Sequence, residues 1–176
     1  MTDAPALLAL PDQVMPPNLF VLPTTQPIVF PSLMAPIQVS DARFVASVEE
    51  ALSRQRMIGL LLVRDGEVLP ETKAADLHEI GVAVRILKRI KMPDGSTNLL
   101  VHAAKRFRVK KLLSEKPHIV VEAQYLEDSL EKSLEMDALM RAVVSQVKKL
   151  SDTNPFFSEE MRLAMVNAPG PGTVAD

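Results

Sequence analysis

Apolar residues along this chain follow two different periods, and the change from one to the other organises it. Between closely spaced prolines lie three short apolar runs, Leu19 to Leu22, Ile28 to Phe30 and Ile37 to Val39. Their length and proline boundaries predict short strands or extended segments at sheet edges. From Asp41 the spacing becomes helical: Phe44, Val45, Val48, Ala51 and Leu52 recur behind Ser40 or Asp41 as N-cap, predicting an amphipathic helix to about Arg56. Met57 to Val63 is continuously apolar and ends at Arg64, Asp65 and Gly66, as a buried strand followed by a turn does. Glu67 to Glu79 has no clear period and reads as a loop.

The clearest pattern follows. Ile80, Val82, Val84, Ile86, Ile90 and Met92 occupy alternate positions, interrupted only by Lys88, while Arg85, Arg89 and Lys91 occupy the others. A period of two predicts a strand with one buried face. Pro93, Asp94 and Gly95 supply turn chemistry, and alternation resumes at Leu99, Val101, Ala103, Phe107 and Val109. Ile119, Val121, Ala123 and Tyr125 extend this hairpin to a three-stranded meander. Met136, Met140, Val143, Val147 and Leu150 then mark a helix from about Ser129 to Leu150, and Ser158 opens another that ends near Ala168. The expected organisation is a loose leader over 1–17, a mainly β domain over 18–127 and the start of a helical extension over 128–176.

Composition narrows the function by exclusion. With 176 residues, 47% of them apolar and a net charge of -2, the chain has material for one good core and is not a generally basic nucleic-acid binder. It has no cysteine, so thiolate metal sites and cysteine nucleophiles are excluded, and a reducing, cytoplasmic setting is the expectation. No apolar run approaches the roughly 20 residues of a membrane span, and the first residues lack the basic flank of a secretory signal. No membrane association is expected.

Nothing in the sequence assembles a catalytic constellation. A P-loop needs Gly followed by Lys and Ser or Thr, and no glycine here precedes a lysine. His78, His102 and His118 are widely separated, with no ligand at helical spacing, so no metal is expected. Two surface features remain. Residues 85–116 hold ten basic and two acidic residues, a local charge of +8 against -10 for the remainder. Arg85, Arg89, Lys91, Arg106, Arg108 and Lys110 could form a basic face for phosphate or acidic peptide; equally, they could be the solvated side of a twisted ribbon. The second feature is apolar. Phe30, Pro31, Leu33, Met34 and Pro36, with Met92 and Pro93 at the hairpin tip, have little polar cover. They either close the end of the core or form an exposed binding patch, to which flexible methionines are suited.

The same residues carry a family resemblance. Leu22, Pro23, Phe30, Pro31, Pro36 and Ile37, then Glu79, Gly81, Ala83 and Ile86, then Met92 to Gly95, and Val101 with Arg106 resemble the pattern of the N-terminal substrate-binding domain of ATP-dependent Lon proteases. The likeness runs from about Leu19 to Leu126. Thr24 and Met92 depart from the family's usual leucines without altering a core position much. The resemblance implies a mainly β fold with α elements: a strongly bent, PUA-like β pseudo-barrel with one helix, followed by a helical extension. It implies a non-catalytic domain that captures unfolded, damaged or degron-bearing proteins, with self-association, hexameric in the full-length family. ATP and magnesium would belong only to an ATPase domain that this chain lacks, as it lacks the Ser-Lys protease part, so the chain is expected to need no cofactor and to be a fragment or a stand-alone adaptor. The competing reading is a nucleic-acid module using the basic hairpin.

Overall fold

The computed structural model describes residues 15–25, 29–127, 133–153 and 172. The chain divides into two compact units, Met1–Leu126 and Glu127–Asp176. In the first, six strands surround one helix in sequence: β1 (Asn18–Thr24), β2 (Met34–Val39), α1 (Ala42–Arg54), β3 (Met57–Leu62), β4 (Ile80–Lys91), β5 (Thr97–Ser114) and β6 (Val120–Tyr125).

Helix α1 starts where the sequence places its cap. The Asp41 carboxylate accepts hydrogen bonds from the Arg43 and Phe44 amides at 2.8 and 3.3 Å, satisfying N–H groups that have no intrahelical partner. Phe44, Ser47, Val48 and Ala51 form its buried face. Because α1 lies on the path from β1 to β3, these two strands pair in parallel, Phe20 to Thr24 against Ile58 to Leu62. A parallel pair is covered on both sides, and Met57 to Leu61 are buried without interruption.

Hydrogen bonding runs in a ring. β3 pairs with β4, β4 with β5, β5 with β6, and β6 with β1, which returns to β3. Closure is possible because β5 is 18 residues long: Thr97 to Arg108 pair with β4, and Phe107 to Ser114 with β6. The result is a strongly bent pseudo-barrel with Phe107 fully buried inside it. Glycine makes room for that ring: a Cβ at Gly59 would stand 2.7 Å from Phe107 Cζ. β2 lies outside the ring and pairs with β5 alone among the described strands.

Loops around the ring are held by side chains. The Arg43 guanidinium donates to the carbonyls of Pro70 and Thr72 at 2.8 and 2.9 Å, and to those of Glu115 and Pro117 at 2.7 and 3.3 Å. One side chain thereby ties the loop before β4 and the loop before β6 to α1. Tyr125 fixes the entry into β1, donating its hydroxyl hydrogen to the Pro16 carbonyl at 2.6 Å. Burial pushes the pKa of this phenol up to about 12. A raised phenol pKa means that the neutral form is favoured in the folded state. The resulting stabilisation is complete below the unfolded value near 10 and is lost as pH rises toward 12. Urea titrations of the wild type and Tyr125→Phe are therefore expected to differ by about 1 kcal/mol at neutral pH and to converge above pH 11.

Several sequence expectations change here. Ile28 lies outside the described residues, and Val29 and Phe30 form a turn approach rather than a strand. β2 starts at Met34 and contains Pro36, and β1 contains Pro23, so these prolines sit inside strands instead of bounding them. The inward phase assigned to Ile90 and Met92 is also wrong, since they are 48% and 38% exposed. The cause is a register shift between Ile86 and Lys88 that leaves Leu87 unpaired and reverses the phase beyond it. The leader's residues 1–14 and the helix expected over 158–168 lie outside the described residues.

In the second unit, α2 (Leu134–Thr153) carries Glu135 and Asp137 in its first turn, where the helix dipole favours acids. The Ser133 hydroxyl accepts from the Met136 amide at 3.0 Å. Residues 129–132 of the expected helix lie outside the described set. Among the described residues no helix is long and apolar enough to cross a membrane.

Candidate functional site

The site begins at a turn. Pro31 and Ser32 occupy the middle of Phe30–Leu33, the Leu33 amide donates to the Phe30 carbonyl at 3.2 Å, and Ser32 has φ of 71°. Proline followed by a left-handed residue is what a type II turn requires. Ser32 also donates to the Ala103 carbonyl, and the Ala103 amide to the Leu33 carbonyl, both at 2.8 Å. This bulge sets the register of β2 on β5, with Met34 opposite His102 and Pro36 opposite Leu100. Bonded and unbonded pairs alternate along an antiparallel ladder. Counting from the bonded Leu33–Ala103 pair, Pro36 therefore occupies an unbonded position, where its missing N–H breaks no bond to β5.

Residues directly opposite each other share a face. Three rows thus form the outer side of β2, β5 and β4: Met34 with His102 and Arg85, Pro36 with Leu100 and Lys88, and Gln38 with Asn98 and Ile90. Met34 is 65% exposed and Leu100 is 39% exposed. Pro36 lies directly across from Leu100, while Met34 and Ile90 are diagonal to it, so an apolar band crosses three strands. Phe30 and Leu33, also exposed, lead into it from the turn, and Pro31 is half-buried. Met92 and Pro93 are exposed at the hairpin tip, two residues beyond Ile90. The tip is set by Asp94, which accepts from the Ser96 amide and hydroxyl at 2.9 and 2.7 Å. The Ser96 hydroxyl bond is the main reason that the Asp94 carboxyl titrates below its ordinary range.

Leu100 and Ile90 belong to this surface but were not singled out from sequence. Leu100 left a trace, since Leu99-Leu100-Val101 is apolar on both strand faces. Ile90 was concealed by the bulge.

The basic residues are dispersed. The bulge that exposes Ile90 turns Arg89 and Lys91 onto the face shared with Leu99 and Thr97. There Glu49 of α1 meets Lys91 Nζ at 2.6 Å and Arg89 Nη1 at 3.2 Å. The lysine hydrogen bond and charge are the largest influences holding the Glu49 carboxyl below its ordinary range. Lys110 binds Glu122 at 2.6 Å, and Arg106 lies over the Phe30 ring at 5.9 Å. Arg85 is half-buried, and Arg108 is exposed. One Ser–His contact occurs, Ser47 Oγ to His118 Nδ1 at 2.9 Å, but Ser47 is fully buried in α1 and also bonds the Arg43 carbonyl. No described group of three or more His, Asp or Glu residues could hold a metal ion.

A closed, strongly bent sheet with one covering helix defines a small β pseudo-barrel. The ATP-dependent protease La (LON) substrate-binding domain model matches residues 18–176, and this chain belongs to that family. The Lon protease of Treponema pallidum (strain Nichols) is 40% identical over 166 residues, covering 94% of this chain and 19% of the relative. That of Leptospira interrogans (serovar copenhageni, strain Fiocruz L1-130) is 32% identical over 165 residues, covering 94% and 20%. The chain thus spans about a fifth of the length of these relatives. Among solved structures, the N-terminal domain of a Mycobacterium avium complex Lon protease has a TM-score of 0.63 at 20% identity, over 90% of this chain and 80% of that one. The Lon N-terminal domain protein of Xanthomonas campestris scores 0.53 at 19% identity, over 88% and 92%. At such identities the two structures establish a shared fold.

Proposed function

We propose that this chain captures unfolded, damaged or degron-bearing proteins for an ATP-dependent protease, through the band formed by Met34, Pro36, Leu100 and Ile90 together with the turn at Phe30 to Leu33. The observation that carries this reading is the continuity of the band across three strands. An unfolded client exposes apolar segments in no fixed geometry, and a continuous apolar surface containing a flexible methionine meets that demand without selecting one sequence. On this reading, ATP, magnesium and peptide cleavage belong to the remaining length of a Lon protease, residues 128–176 begin the connection toward it, and association into a hexamer in the cytoplasm is a property of the whole. The pairing of Arg89 and Lys91 with Glu49, and of Lys110 with Glu122, works against a nucleic-acid surface, because cations held by carboxylates are poorly placed to release counterions from phosphates.

Fluorescence anisotropy with labelled, permanently unfolded casein and labelled native albumin tests the proposal. Micromolar binding of casein, little binding of albumin, and weak dependence on salt are expected. Equal and negligible binding of both would overturn it.

A further inference from the structure

A concavity of about 450 Å³ is lined by Leu62, Arg64, His78, Glu79, Ile80 and Arg108. Ile80 and Ile90 are ten residues apart on β4, which places this site roughly 30 Å along the strand from the outer end of the apolar band. Three elements build it. Arg64 follows β3; its amide donates to the Asp76 carbonyl at 2.8 Å, and its Nε donates to the Leu77 carbonyl at 2.9 Å. The guanidinium is thus anchored through one nitrogen, and its two terminal nitrogens bond no described residue. The His78 amide donates to the Leu62 carbonyl at 2.9 Å, fixing the segment before β4 beside β3. Arg108 comes from β5, directly across from Ile80 and on its face. Neither Arg108 nor His78 has a side-chain partner among the described residues, and Glu79 forms no ion pair with either arginine.

Unpaired arginines usually extend into water, but here one is held by its backbone anchor and both border the same concavity with exposed Ile80. We infer that this concavity binds a carboxylate carried beside an apolar side chain, as at the end of a peptide or at an internal acidic residue. The planar fork of arginine suits a carboxylate, and Leu62 and Ile80 offer an apolar wall beside it. Glu79 decides against a phosphate: two arginines and one glutamate sum to a formal charge of +1, which suits a monoanion better than a dianion. The inference deepens the capture reading by adding a polar anchor to it, and it rests on that reading for its biological meaning.

The test uses a labelled, leucine-ending peptide in three forms: free carboxylate, C-terminal amide, and amide with an internal glutamate before leucine. Binding is measured at low ionic strength alongside unfolded casein. The free acid is expected to bind about tenfold more tightly than the amide, and Arg108→Gln to abolish that difference with an unchanged urea midpoint. Arg64→Gln should do the same, with Arg108→Gln deciding if Arg64→Gln fails to fold. Recovery of affinity by the internal glutamate would assign an acidic side chain, and no recovery a chain terminus; both support the site. Equal binding of acid and amide, with casein still bound, would overturn the carboxylate site and leave the capture reading intact. Acid-selective binding without casein binding would support the site and remove the capture reading. Phosphate displacing the acid peptide better than acetate at equal ionic strength would overturn the assignment to a carboxylate.

Discussion

Met34→Asp is expected to weaken binding of unfolded casein by about 30-fold, the effect of losing roughly 2 kcal/mol at an interface anchor. Met34 is the most exposed large apolar residue described in the barrel. Its outer row neighbours, His102 and Arg85, offer little other apolar contact, so a client that loses Met34 retains Leu100, Pro36 and Ile90 of the band and the turn at Phe30 to Leu33, with the link between them cut. An aspartate there would also be pressed against apolar client groups, and removing a carboxylate from water without a partner is costly. Stability should change little, because an exposed side chain is replaced away from any bond or cap. Leu69→Asp provides the control: Leu69 is also exposed, at 47%, but lies in the loop before β4. Binding by that variant should stay within about twofold of wild type, a change of at most ~0.4 kcal/mol. Unaltered casein affinity in Met34→Asp would remove the apolar band from the binding site.

Gly81→Ala is expected to destabilise the barrel by about 3 kcal/mol, the upper end of what is seen when a close-packed interior must shift. An added Cβ would fall 2.1 Å from the Leu60 carbonyl oxygen and 2.5 Å from Leu61 Cδ2. Rotation of Leu61 relieves only the second clash. The first is with backbone in β3, whose residues Met57 to Leu60 pair with β4 on one side and whose residues Ile58 to Leu62 pair with β1 on the other. Relief therefore requires two ladders to move. Urea denaturation followed by circular dichroism measures the effect, and a midpoint shift equivalent to less than ~1 kcal/mol would contradict the close approach. This glycine belongs to the Glu79-x-Gly81 pattern noted from sequence, and its physical meaning is the nearness of two strands.

Elements governed by local chemistry were legible in the residues. Ser40 or Asp41 as a cap announced α1, the uninterrupted Met57 to Val63 run announced a buried strand, and Pro93-Asp94-Gly95 announced the hairpin. The family resemblance supplied the bent barrel, which no local period encodes, because closure depends on β5 meeting β4 with one half and β6 with the other. The candidate surface was legible only in part. Phe30, Leu33 and Met34 stood out through lack of polar cover, but Leu100 and Ile90 join them only through register. One unpaired residue, Leu87, changes which side chains face outward, and a sequence period cannot reveal such a slip. The dispersal of the basic face has the same origin, since Arg89 and Lys91 reach Glu49 through the reversed phase. Arg64 and His78 lacked any signal of their own, being isolated in a segment without period and gathered beside Arg108 only by the closed sheet.

A domain that displays apolar side chains on a strand with one partner invites its own copies to stack there, edge against edge, as fibrils do. β2 is that strand, and the unbonded position of Pro36 turns its nitrogen toward the open side. An incoming strand would find no hydrogen to accept at the middle of the six-residue edge. Among the described residues the imino acid thus leaves the greasy face open while denying polymer growth a template.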